Sequence, residues 1–399
     1  MISVEEALRL VLAHCPTPTT EFILLAEATG RTLAQDVFAD RDLPPFDRVT
    51  MDGIAVQAEI FQQGIREFTV AGVQAAGAPA LSLQDSSHCL EVMTGAVLPG
   101  NTNAVVPYEQ CDIKDGTATV HALEVRLGQN IHRQGTDATA GDTLVKKGNS
   151  ITPAVVGILA SVGLAEVEAL RQPTIAICST GDELVDVDQT PLPHQIRKSN
   201  VHMLAAELQA ENIKTNLFHL PDEPEAMFTA LREILKSHEV LLLSGAVSKG
   251  KFDFLPQVLA RLQLNLVFHS IAQKPGKPML FGTLPDGKTV FGFPGNPVST
   301  FVCYQLYFRP WLQQHQGLPA KKATGVLAES ISFKPNLTYH VPVTLSLENG
   351  MLNARPIQGS GSGDLTSLLP AQGLLSLPSD KVEFLAGERF PVTLFSFAL

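Results

Sequence analysis

Four glycine-rich turns, each behind a short apolar run, fall between residues 174 and 297 of this 399-residue chain. They are Ser179-Thr180-Gly181-Asp182-Glu183, Ser244-Gly245-Ala246-Val247-Ser248-Lys249-Gly250-Lys251, Lys274-Pro275-Gly276-Lys277-Pro278 and Gly292-Phe293-Pro294-Gly295-Asn296-Pro297. The runs before the first two, residues 174–178 and 240–243, are nearly all apolar, as parallel strands covered on both faces are. In an open α/β sheet, the loops leaving the carboxyl ends of the strands line the ligand crevice. Glycine there lets backbone N–H groups approach a ligand, and the N-termini of the following helices favour anions. The pattern predicts an α/β domain with a crevice for a phosphorylated substrate.

The length suits two to four domains with substantial cores. A formal charge of −11 argues against nucleic acid as a partner, because its backbone needs a net basic face. A small anionic ligand needs only a local basic pocket. The five cysteines are widely spaced and form no C-x-x-C pair, which suits free thiols in a reducing compartment rather than a disulfide framework or a zinc site. Residues 1–6 show no basic region followed by an apolar core, so no signal peptide is expected. The apolar stretch at 154–165 contains Gly157, Ser161 and Gly163 and is too short to span a bilayer. A cytoplasmic location without a membrane partner is the expectation.

Ser3-x-x-Glu6 is a capping box for a first helix with Val4, Leu8 and Val11 on one face. Residues 46–137 carry short β runs, such as 68–70 and 104–107, between Gly, Pro and Asn turns. The stretch at 154–165 predicts a buried helix. From Arg171 onward, strands and helices alternate. One helix carries Val201, Leu204 and Leu208, and a strand follows at 215–218. A capping box at Asp222 then opens a helix with Met227, Leu231 and Leu235. Another helix after Asn296-Pro297 ends near Trp311. Such alternation predicts a doubly wound sheet. Residues 320–399 read as strands and turns only, a separate all-β module.

Gly245-x4-Gly250-Lys251 nearly matches a nucleotide-binding P-loop, but Phe252 stands where a hydroxyl must ligate magnesium. The loop can still cradle an anion through its N–H groups, Ser248, Lys249 and Lys251. Asp182, Glu183, Asp222 and Asp253 fall at predicted loop ends. Asp222 and Asp253 precede helices and suit N-caps; gathered at one sheet edge, the four suit a divalent cation beside phosphates. Asn296-Pro297 is similarly double, as ordinary helix-start chemistry or as a close approach to ligand. No zinc-binding histidine spacing occurs. Gly359-Ser360-Gly361-Ser362-Gly363 lacks the central serine of a nucleophile elbow and reads as a flexible loop. Asn336-Leu337-Thr338 matches a glycosylation acceptor that is idle in the cytoplasm.

Six motifs in order carry a resemblance. They are Pro45-Phe46-Asp47-Arg48-Val49-Thr50-Met51-Asp52-Gly53, Met93-Thr94-Gly95-Ala96, Ser179 to Leu184, Ser244 to Ser248, Lys274 to Pro278, and Pro294 to Ser299. Over nearly its full length the chain resembles the molybdopterin molybdenumtransferases of the MoeA type, which are related to the C-terminal part of gephyrin. The resemblance implies a multidomain fold of α/β plus β class. A doubly wound α/β substrate-binding domain covers residues 1–21 and 169–318, and a small stem domain covers 22–45 and 138–168. An inserted mainly-β domain, 46–137, faces the partner subunit of a homodimer, and a C-terminal all-β domain covers 319–399.

The implied activity inserts molybdenum from molybdate into adenylylated molybdopterin and releases AMP, with Mg2+ as the divalent cation. The resemblance implies catalytic roles for Asp52, Thr94, Glu183, Asp222, Asp253 and Lys274, with Glu183, Asp222 and Asp253 on the metal. Substrate contacts fall to Ser179, Thr180, Gly181, Asp182, Ser244, Gly245, Ser248, Lys277, Pro294, Gly295, Asn296, Pro297 and Ser299. Implied partners are the molybdopterin-adenylylating enzyme and downstream cofactor-transfer proteins. The chain departs from the family pattern at His132, where arginine is common, at Lys198 for aspartate, at Ser270 for lysine and at Ala246 for glycine. These departures bear on catalytic efficiency. Two other functions fit the same fold: a nucleotide or dinucleotide hydrolase, and a non-catalytic scaffold or cofactor-binding protein.

Overall fold

The computed structural model describes residues 1–245, 254–319 and 323–395. Ala246, Ser248, Lys249, Lys251 and Asp253 therefore lie outside the described residues. The chain forms two compact units: Met1–Phe22, Gly30–Thr32 and Glu168–Leu399 make one, and Ile23–Thr29 with Leu33–Val167 the other.

The larger unit begins with helix α1 (Val4–Ala13), capped by Ser3, whose Oγ accepts from Glu6 N at 3.1 Å. Its main sheet uses β1 (Ile175–Thr180), β2 (Thr215–Leu220), β3 (Val240–Ser244), β4 (Asn265–His269), β5 (Leu280–Thr283) and β6 (Thr289–Phe293), in spatial order β2-β1-β3-β6-β5-β4. The first four in that order are parallel, as the alternating pattern predicts, while β5 and β4 add an antiparallel edge. Successive side chains on a strand point to opposite faces. Accordingly Ile175 and Ile177 of β1, Val240 and Leu242 of β3, and Phe291 and Phe293 of β6 enter one core. Ala176, Cys178, Leu241, Leu243 and Val290 enter the other. Double-sided burial is why these strands read as unbroken apolar runs.

Helices cover both faces. On the first lie α1, α2 (Ser199–Ala210), and the continuous rod formed by α5 (Pro297–Cys303), a π-helical turn at Tyr304–Phe308 and α6 (Arg309–His315). Trp311 packs edge-on to Phe291 with ring centroids 5.8 Å apart, and each such buried aromatic stabilises the fold by roughly 1.5–3 kcal/mol. On the second face lie α3 (Pro224–Ile234) and α4 (Leu255–Arg261). The capping box expected at Asp222 is displaced by one residue. Glu223 is the N-cap of α3, its carboxylate accepting from Glu225 N at 3.1 Å and Ala226 N at 2.6 Å. Gly292 is likewise strand rather than turn, so the fourth glycine-rich turn starts at Pro294.

The C-terminal sheet comprises β7 (Ala323–Leu327), β8 (Thr338–Glu348), β9 (Met351–Pro356), β10 (Gly373–Leu377) and β11 (Arg389–Leu394). The order is β8-β9-β7-β11-β10, and β10 pairs back onto β8, so the sheet closes on itself. The short strand Gln273–Lys274 joins its edge beside β8.

In the smaller unit a six-stranded sheet contains Gly53–Val56 at an interior position, between Ala104–Pro107 and His88–Val92. A side chain at Gly53 would overlap the Val106 carbonyl and lie 2.8 Å from Pro107 Cα. Only glycine allows that strand pairing. The predicted buried helix forms at Pro153–Ser161, capped by Thr152 and opened by a proline, but Leu159 alone is buried. It is apolar on every side, whereas packing within its unit covers only one face.

Candidate active-site cleft

A cleft of about 690 Å³ opens at the carboxyl edge of the parallel strands. Strand register brings its segments together, setting Ser179 beside both His219 and Ser244, and Ser244 beside Phe293. Ser179, Thr180, Gly181, Glu183, Asp222, Ser244, Gly245, Pro294, Gly295, Asn296 and Pro297 all line it. Gly181 has φ +123° and Gly245 φ +102°, conformations that favour glycine. The Glu183 carboxylate folds back over Gly181, in space that a β-carbon would occupy. At Gly245 a β-carbon would come 2.6 Å from Thr180 Oγ1.

The carboxylates divide by role. Asp182 Oδ1 accepts from the Asp222 backbone N–H at 3.2 Å, so Asp182 fixes the loop that carries Asp222, and it is not itself a wall of the cleft. Burial, followed by the like charges of Asp182 and Glu183, holds the Asp222 carboxyl above its ordinary value. A group free of capping duty and crowded by negative charge is suited to a hard cation. Among the described residues no three His, Cys, Asp or Glu side chains stand together as a metal site, and Asp253 is outside them. Ser179 Oγ lies 3.0 Å from His219 Nδ1. Burial, then the nearby Lys198, lowers the His219 pKa. The Lys198 ammonium, itself paired with Asp186 at 2.8 Å, also lines the cleft.

A second cleft of about 460 Å³ shares Pro278, Pro294 and Asn296 with the first. Lys274, Lys277 and Ser299 line it, together with Tyr339, His340 and Ser362 of the C-terminal region. Lys274 Nζ lies 5.6 Å from the Phe333 ring centroid and 6.0 Å from that of Tyr339, aromatic faces that attract a cation. Asn296 begins α5 without capping it through its side chain; its Nδ2 donates to Ser362 Oγ at 2.8 Å instead. The Gly359–Gly363 segment, which reads from sequence as a plain flexible loop, contributes to both clefts. Lys198, singled out in the sequence only as a departure from the family pattern, lines the larger cleft, and Asn200 and the 359–365 loop are lining residues that sequence reasoning missed. Asn200 carried a local signal only as the start of a helix after a strand.

In the smaller unit Asp52 and Thr94 are brought together. Asp52 Oδ1 accepts from Thr94 N at 2.6 Å, and this bond holds the exposed Asp52 carboxyl below the usual range. His132 bridges Arg48, 3.0 Å from its Nδ1, and Asp137, 2.9 Å from its Nε2.

Residues 2–163 match the family model described as "MoeA N-terminal region (domain I and II)", residues 176–314 "Probable molybdopterin binding domain", and residues 324–395 "MoeA C-terminal region (domain IV)". The chain is 39% identical over 395 residues to the molybdopterin molybdenumtransferase of Synechocystis sp., covering 98% of this chain and 99% of that protein. It is 33% identical over 420 residues to the molybdopterin molybdenumtransferase of Haemophilus influenzae, covering the whole of both. The crystal structure of the molybdopterin biosynthesis MoeA protein of Pyrococcus horikoshii superposes with a TM-score of 0.80 at 29% identity, covering 99% of this chain and 100% of that one. The chain belongs to the MoeA family of molybdopterin molybdenumtransferases.

Proposed function

We propose that this protein is a transferase of molybdenum cofactor biosynthesis, which inserts molybdenum from molybdate into adenylylated molybdopterin and releases AMP. The observation that carries the proposal is the 690 Å³ cleft, in a chain that matches its relatives from end to end. Its floor of serine and threonine hydroxyls and glycine backbone suits the adenylate and its phosphates. Lys274 and Lys277, with Ser299, supply the adjoining cleft with donors for oxyanions, either pyrophosphate or molybdate. Asp52 and Thr94 act at the molybdate or pterin end, in a site completed by the partner subunit of a homodimer. Ser248 belongs with the phosphate contacts.

The carboxylates fit a magnesium ion: Glu183 and Asp222 line one wall, both are oxygen donors, and Asp222 is crowded by negative charge. Glu183, Asp222 and Asp253 would hold the ion, which would neutralise charge on the phosphates as the anhydride breaks. The chain's own residues bind and orient: Asp182 sets the Asp222 loop, His219 holds Ser179, and the lysines draw the oxyanions in. A stem at 22–45 and 138–168 and an inserted domain at 46–137 account for the smaller unit, the stem also taking in residues 22, 30–32 and 168 of the larger one. The rest of the larger unit divides into the α/β domain at 1–21 and 169–318 and the β domain at 319–399. The enzyme acts in the cytoplasm, between the adenylylating enzyme and cofactor-transfer proteins.

The test is AMP release from adenylylated molybdopterin with magnesium, with and without molybdate, by wild type and Asp52→Ala. The expected result is molybdate-dependent release that falls at least a hundredfold in the variant at unchanged melting temperature, Asp52 being exposed. Cleavage indifferent to molybdate and to Asp52 would instead identify a hydrolase. Tight ligand binding without turnover would identify a binding protein.

A further inference from the structure

We propose that Gln273 is a positioning residue for the second cleft, a buried strut through which the π-helical turn at Tyr304–Phe308 sets the placement of Lys274 and Lys277. This rests on those two lysines taking an oxyanion there. Side chains alternate along the short strand Gln273–Lys274, so Lys274 is exposed while Gln273 is fully buried. In the turn that follows, Gly276 is buried and Lys277 exposed. Each lysine that lines the cleft is thus preceded by a residue anchored beneath it.

The anchor runs from Tyr307 through Gln273 to Gly276. Tyr307, fully buried, donates its hydroxyl to Gln273 Oε1. Burial raises the Tyr307 pKa well above its ordinary value, so the donated proton stays in place. Gln273 Nε2 donates in turn to the Gly276 carbonyl at 3.2 Å. The reversed amide would set Oε1 against that carbonyl, which only accepts, so the network fixes the orientation. Gly276, at φ +88°, sits in a socket. A β-carbon there would come 2.5 Å from Cys303 Sγ, 2.8 Å from Gln273 Nε2 and 3.5 Å from Ser299 O. Cys303, the residue before the π-helical turn, also reaches the Gly276 carbonyl through Sγ at 3.5 Å. One helical rod therefore grips the turn through Cys303 and Tyr307 and also carries Ser299, which lines the same cleft. π-Helical turns are rare and often mark functional sites; this one supplies the hydroxyl that the strut requires. Gln273 touches no ligand. Its effect is to hold two ammonium groups in one arrangement before an anion arrives, which lowers the ordering cost of binding.

Calorimetric titration with molybdate and with pyrophosphate, on wild type, Lys277→Ala, Tyr307→Phe and the double variant Gln273→Met/Tyr307→Phe, tests this. Lys277→Ala should weaken one anion at least tenfold and so identify the one that the cleft holds. The double variant keeps the buried volume, orphans neither side chain and takes the amide donor from Gly276. It should weaken that same anion at least tenfold, with the affinity for AMP at the larger cleft unchanged. Tyr307→Phe, which spares the contact from Gln273 to Gly276, should weaken the anion at least threefold and repeats the test if the double variant melts early. In turnover the loss should raise the half-saturating concentration of the substrate bearing that anion and leave kcat within threefold. Anion affinity within twofold of wild type in both strut variants would overturn the inference. So would the reverse kinetic split, or AMP and anion weakening together, which would mark a merely structural role. Wild type that binds neither anion, or binds both equally well after Lys277→Ala, would sink the oxyanion assignment itself.

Discussion

His340 shows how burial alone sets one residue's chemistry. It is 1% exposed, its Nδ1 lies 2.9 Å from Ser376 Oγ, and its Nε2 has no partner among the described residues. Burial pushes its pKa down to about 3. The unfolded chain takes up this proton near pH 6.5 and the folded chain does not, so the contribution is complete above about pH 6.5 and is lost as the pH falls toward 3. The slope is about 1.4 kcal/mol per pH unit. His340→Gln should therefore lose less stability than wild type between pH 7 and pH 5, by about 2 kcal/mol, in urea unfolding at the two pH values. Equal acid sensitivity of the two proteins would mean that other groups dominate.

Helix α3 shows how one position separates structure from chemistry. Asp222 is the residue type that favours an N-cap, yet the longer Glu223 reaches the free N–H groups of Glu225 and Ala226. The Asp222 N–H is held by Asp182, and its carboxylate is left to the cleft. Glu223→Ala should destabilise the protein by about 1 kcal/mol with AMP affinity unchanged. Asp222→Asn should spare stability and weaken magnesium-dependent turnover at least tenfold. If denaturant midpoints show the reverse ranking, Asp222 is the cap in solution.

At the scale of the whole molecule, two units with separate cores predict unfolding that departs from a single cooperative step. Gly53→Ala forces a β-carbon into the Val106 carbonyl, an overpacking cost of about 1–3 kcal/mol or more. In calorimetry it should lower the transition of the unit containing residues 33–167 and leave the other in place. One transition shifting as a whole would show that the cores are coupled. What was legible in sequence is the local pattern. The apolar runs at β1 and β3 announce strands buried on both faces, and the glycines at 181 and 245 mark backbone that a side chain would obstruct. The motifs around Asp52, Ser179 and Lys274 identify the family. Tertiary structure alone decided which acid caps a helix and which faces ligand, why Gly53 must be glycine, and how residues 359–365 enter the clefts. It also left the Pro153–Ser161 helix largely uncovered despite its apolar sequence. Periodicity records only how a segment meets an average neighbour. A hydrogen bond such as that from Asn200 to Gly295 depends on two distant segments arriving at one place.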